Sequence, residues 1–316
     1  MKLLCISLLS LLLGINAYSQ PIFNNNNNKN KIIDIRLTTN IKNASMRYDN
    51  NTNEIVEDSL LYIYTDTTTE ATNEYNLSYT TDLSQQEYNL HIGYIGLENF
   101  YVYAKIPLTY TSVIEKFTYN ELSSQRLIKN DKSELYVEGI NFDAGYTFQL
   151  GKTINIDLLG GLFIPFGDWK APLYIDSSAL FNNKWLNLNR KYELNLGTAL
   201  DLNIKPIKLQ IGCIYNHRGN DYADNIMTSC LVGLNSVENT EIYAKFKLNT
   251  PLSDYKDEYS ISFWEYPYWQ QEFSLELGYK MFFTSEFYVD VGYNLSLWGK
   301  NTLAKRTVNI SIGYLF

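Results

Sequence analysis

Sulfur and imidazole are scarce in this chain. Among 316 residues there are three cysteines and two histidines, and the histidines stand far apart at positions 91 and 217. A metal centre of the His/Cys type needs ligands at short fixed spacings, so neither a metal site nor any other cofactor is expected. Cys5 falls in an apolar leader, which leaves Cys213 and Cys230. Two cysteines do not make a disulfide framework, so the fold has to stand on hydrogen bonds and burial. Base is short as well, with 26 Lys and Arg against 34 Asp and Glu and a net charge of −8. Phosphate binding needs a basic face, so nucleic acid is excluded as an expected partner. After residue 13 nothing comes near the roughly 18 continuous apolar residues of a helical membrane span, and no apolar stripe of period 3.6 recurs.

The first residues have a different composition. Met1-Lys2 is a short basic start, Leu3 to Leu13 is apolar apart from Cys5, Ser7 and Ser10, and Ala17 and Ser19 put small residues before a cut. This reads as a secretory signal peptide over residues 1–19. Its apolar run is shorter than the roughly 20 residues of a spanning helix, and no cysteine follows it to carry a lipid. Residues 20–31, with Asn24 to Asn28, read as a disordered lead-in. Residues 32–316 are then one domain.

What fills that domain is alternation of period two, the pattern of a strand with one wet and one oily face. It occurs twelve times, over residues 33–41, 88–94, 102–110, 140–148, 154–164, 192–202, 207–215, 226–234, 242–248, 273–283, 287–297 and 308–316. In none of these runs does Asp, Glu, Lys or Arg fall in the apolar phase. A soluble β-sandwich also alternates, but it does not need a stripe so uniformly free of charge. Most runs are near the roughly 9 to 11 residues with which a tilted strand crosses a bilayer.

The connections alternate between short and long. Residues 97–99, 151–152, 205–206, 237–239 and 284–286 are tight, while residues 48–86, 113–133, 167–189 and 251–269 are long and polar. Twelve strands place both ends of the domain on the tight-turn side. Tyr62-Ile63-Tyr64 and Tyr75 to Tyr79, inside the first long stretch, offer an alternative of fourteen. Aromatics gather near strand ends, at Tyr101, Phe263-Trp264, Tyr266, Tyr268-Trp269, Phe287 and Trp298, where interfacial girdles sit.

The last ten residues, Thr307-Val308-Asn309-Ile310-Ser311-Ile312-Gly313-Tyr314-Leu315-Phe316, end on a bare aromatic. An apolar strand of this kind needs a partner on its open edge. With the leader and the repeated alternation, this ending resembles the bacterial outer-membrane β-barrel proteins, porins and transporters among them. The resemblance implies a transmembrane antiparallel up-and-down barrel in the outer membrane of a diderm bacterium, reached by secretion through the inner membrane. It implies tight periplasmic turns, long extracellular loops, and outer-membrane lipid and lipopolysaccharide as surroundings. It also implies that Ile312, Tyr314 and Phe316 are an assembly signal read by the barrel-assembly machinery.

In the phase opposite to the apolar one stand Asp34, Arg36, His91, Lys105, Asp143, Asp157, Glu193, Asp201, Lys208, Glu241, Lys245, Lys247, Glu272, Glu276, Lys280 and Asp290. On a barrel these face the lumen, as pore-lining charges that steer small polar or amphipathic solutes. A non-conducting barrel working through its outer loops as adhesin, receptor or scaffold is the alternative. Outer-membrane lipolysis is third, because Tyr215-Asn216-His217 is similar to the histidine strand of outer-membrane phospholipase A. The position two residues on is Gly219, however, where that family has its serine, and an imidazole with no nucleophile has nothing to activate. No enzyme is expected. The acidic groups Glu54, Glu57 and Asp58, and Asp254, Asp257 and Glu258, lie in the long loops.

Overall fold

The computed structural model describes residues 33–48, 54–55, 57–65, 72–95, 99–121, 124–151, 153–166, 169–171, 186–188, 192–218, 223–237, 239–253, 270–300 and 302–316. The signal peptide, the lead-in and the aromatics at 263–269 lie outside them.

Twelve strands form one closed ring. They are β1 (Ile33–Ala44), β2 (Thr72–Ile95), β3 (Phe100–Glu121), β4 (Gly139–Leu150), β5 (Ile154–Pro165), β6 (Glu193–Ile204), β7 (Ile207–His217), β8 (Asn225–Val237), β9 (Thr240–Pro251), β10 (Gln271–Phe282), β11 (Phe287–Lys300) and β12 (Arg306–Leu315). Each pairs antiparallel with the next in the chain. The last closes on the first over ten register pairs, from Asp34↔Leu315 to Asn43↔Arg306. The Phe316 N–H also donates to the Ile33 carbonyl at 2.8 Å. The C-terminal strand therefore has its partner, and closure removes the edge.

Burial is inverted relative to a soluble protein. Leu196 is 64% exposed and Leu277 53%, whereas Asp34 and Lys245 are each 1% exposed. The apolar phase of every run lies outside the ring and the charged phase inside it. So large an exposed apolar surface requires an apolar solvent. Near the tight-turn rim the outside carries aromatic neighbours, Phe283 with Phe287 at 5.4 Å and Tyr314 with Phe316 at 4.6 Å between ring centroids. The turns themselves use Asn99, Asn239 and Gly151 at φ of 69°, 71° and 79°, a left-handed backbone that glycine and asparagine accept most readily.

Two expectations are corrected. The stretches 48–86 and 113–133 are not simply loops: β2 and β3 stay paired as far as Leu77↔Tyr119, well past the ends of their apolar runs. The strand Ser124–Val137 continues β4 upward and pairs with β3, and Glu57–Thr65 folds back on β2. The hairpin suggested by Tyr62–Tyr64 and Tyr75–Tyr79 thus exists, but outside the ring, so among the described residues the barrel has twelve strands, and Glu57–Thr65 pairs beyond it. The break between Ser124–Val137 and β4 falls at Glu138. There β3 shifts register by one residue, from Lys105↔Asn141 to Leu108↔Val137, and Pro107, which cannot donate to a ladder, occupies the irregular segment.

Candidate functional site

The inward residues enclose a cavity of about 970 Å³. At the tight-turn rim it is bounded by Lys205, Pro206, Asn239 and Thr240, and at the long-loop rim by Lys42, Asn249, Glu272 and Lys305. It therefore has walls at both ends of the barrel. Between the rims it follows β8 to β12, β1 and β2. The outer halves of β4 to β7 line none of it, because their inward side chains fill the lumen themselves: Phe163 and Ile214 are fully buried, and Leu159 and Ala199 pack with Ile214.

Of the sixteen inward charges named from the sequence, twelve line this cavity: His91, Lys105, Asp157, Asp201, Lys208, Glu241, Lys245, Lys247, Glu272, Glu276, Lys280 and Asp290. The other four do not. Asp34 accepts a hydrogen bond from Arg36 at 2.8 Å, both nearly fully buried beside the seam. Asp143 lies over Gly161, and Glu193 is at the outer end of β6 opposite Phe163.

Most cavity charges are neutralised locally. Lys42 and Lys105 both donate to Glu87, at 2.9 and 3.3 Å, and Lys208 reaches Glu241 at 3.4 Å. Lys247 donates to Glu276 at 2.6 Å and Lys305 sits 3.6 Å from Glu272. Low-dielectric walls make such pairs stronger than they are in water. The lumen is thus a mosaic of both signs.

A second ordering device is the pairing of inward tyrosines with glycines. Tyr103 is opposite Gly93, Tyr101 opposite Gly145, Tyr243 opposite Gly278 and Tyr288 opposite Gly313. In all four cases a Cβ on the glycine would overlap the ring. The rings lie flat along the wall where a side chain would have stood, which keeps them from crossing the lumen. The Tyr243 hydroxyl then donates to Asp290 at 3.0 Å. Tyr101, expected in an outer aromatic girdle, is therefore an inward residue, 7% exposed. It begins β3 in the lumenal phase, and the glycine opposite makes room for it.

Glu87 and Asn89 are cavity residues that sequence reasoning passed over. The apolar run on β2 begins at Tyr88, and the same phase extended one residue outward marks Glu87 as lumenal.

His217 projects outward at the long-loop rim. Its Nδ1 is 3.0 Å from Asp224 Oδ1, and Asp224 also accepts from the Tyr215 hydroxyl at 2.5 Å and the Arg218 N–H at 3.1 Å. Burial pushes the Asp224 carboxyl up, but the bonds from Tyr215, His217 and Arg218 outweigh it and hold it below its ordinary value. This is a brace for the turn from β7 to β8. Cys213 and Cys230 are free thiols on the lipid side, offset in register: Cys213 faces Thr228 and Cys230 faces Ile211.

No protein-family model matches the chain. No curated protein matches it either. Solved structures do. An outer membrane channel from Pseudomonas putida F1 superposes with a TM-score of 0.57 over 90% of this chain and 96% of its own, at 10% identity. The translocator domain of the autotransporter NalP from Neisseria meningitidis aligns at 0.48, with 11% identity over 90% and 89% of the two chains. The toluene transporter TbuX from Ralstonia pickettii aligns at 0.45, with 10% identity over 90% of each. At such identity the first likeness speaks for architecture: the chain has the fold of a bacterial outer-membrane β-barrel channel.

Proposed function

We propose that this protein resides in a bacterial outer membrane and lets small polar or amphipathic solutes pass through its lumen. The observation that carries the reading is the cavity with walls at both rims, lined by charges of both signs and by apolar Leu231 and Met227. Paired charges of both signs give a polar, hydrated wall that offers donors and acceptors to a solute without the trapping field of a single sign. The P. putida structure of like fold is a channel by its own description, and that agrees with the reading.

The test is single-channel conductance of the leaderless protein refolded into a planar bilayer, at low and high salt. Discrete steps with a salt-dependent ion preference are expected. Silence from a barrel whose folding is proven by heat-modifiable gel migration overturns the reading. A second reading has one observation in its favour. The sheet that β2 and β3 carry beyond the barrel, flanked by Glu57–Thr65 and Ser124–Val137, is a built platform suited to an adhesin, receptor or scaffold.

A further inference from the structure

Lys245 sits at the middle of β9 with its side chain lining the cavity, yet it is 1% exposed and its Nζ has no hydrogen-bond partner. An ammonium taken out of water without an acceptor is strongly unfavourable. The obvious acceptor is Glu276, directly opposite on β10. That carboxylate is already engaged: Oε2 accepts from Lys247 at 2.6 Å and Oε1 from Asn309 at 3.2 Å. Of the other lysines on this wall, Lys208 reaches Glu241 at 3.4 Å and the Lys280 ammonium lies over the rings of Tyr288 and Phe282, 4.8 and 5.6 Å from their centroids. Lys245 is the positive charge left over on the wall. On its other side the residue directly opposite is Leu231, which also lines the cavity. An unsatisfied cation beside an apolar side chain is complementary to an anion with an apolar body.

We infer that Lys245 is the anchor of a lumenal binding site for a small organic monoanion, a carboxylate whose apolar part rests on Leu231. This names the solute class for the lumen described above. It rests on the conduction reading for transport, though not for binding. The carboxylate supplies a further acceptor, and Lys247, held by Glu276, does not compete for it. A position kept charged for a ligand is expected to weaken the free barrel.

The probes are benzoate and its neutral isostere benzamide. Binding to the full refolded barrel in detergent is followed by saturation-transfer NMR, beside conductance of the same preparation. Benzoate is expected to bind at least about tenfold more tightly than benzamide, since a hydrogen bond to a charged group supplies that factor. Lys245→Met should lose this preference while unfolding in urea at the same or higher concentration, and Lys245→Arg should retain it. Equal binding of benzoate and benzamide, or undiminished benzoate binding by Lys245→Met, overturns the site. So does a Lys245→Arg barrel that folds and binds no benzoate. A wild-type barrel that binds benzoate but passes no current removes the conduction reading and leaves the site standing. One that conducts without binding does the reverse.

Discussion

Tyr288 lies across Gly313 so closely that even a methyl group at 313 would collide with the ring. Gly313→Ala is therefore expected to cost about 1–3 kcal/mol through overpacking. In a Tyr288→Ala background the obstacle is gone, and the same change should cost much less. Urea unfolding of the four proteins in detergent gives the coupling directly, on the order of 0.5–3 kcal/mol for residues in contact. Additive effects would show that the glycine serves only strand curvature. The inward phase of both residues is visible in the sequence, since Gly313 alternates with Ile312 and Tyr314, and Tyr288 with Phe287 and Val289. Their partnership is not, because it depends on cross-strand register. The same holds for Lys245. Its lumenal side follows from period two, but its lack of an acceptor depends on Lys247 and Asn309, brought to Glu276 from β9 and β12.

At the scale of elements, all twelve barrel strands are legible because each has an oily face, and the sheet above them is not. Beyond about Leu83 on β2 and Val113 on β3 the apolar phase of the sequence stops while the hydrogen-bonded ladder goes on. A pattern that records contact with lipid ends at the lipid. The ring owes nothing to this outer ladder, because closure between β1 and β12 and the neighbour pairings lie below it. Replacing residues 113–132 with Asn-Gly to join the paired Ser112 and Ser133 should leave a folded, heat-modifiable barrel with its thermal midpoint little changed. If conduction is the function, current steps persist in that variant. If the platform is the working part, binding of intact barrels to cells or matrix falls and the current does not matter. A variant that no longer closes would show that the outer ladder is part of the folding unit.

For the whole molecule the decisive property is that charge is inside and hydrocarbon outside, the reverse of a soluble sandwich with the same alternation. Leu277 and Asn294 make the contrast testable. Leu277 is 53% exposed on the outer face of β10, while Asn294 lines the cavity from β11. On a soluble protein an arginine at so exposed a leucine is harmless or improves solubility. In a bilayer it has to leave water, at about 2–4 kcal/mol near the midplane. Leu277→Arg should accordingly lower the unfolding free energy of the barrel, read from urea titration in liposomes, by that amount, whereas Asn294→Arg, placed in the aqueous lumen, should alter ion preference with little change in stability. Equal tolerance of arginine at both positions would mean that the outer face is not in lipid, and the barrel would lose the membrane that its inverted burial demands.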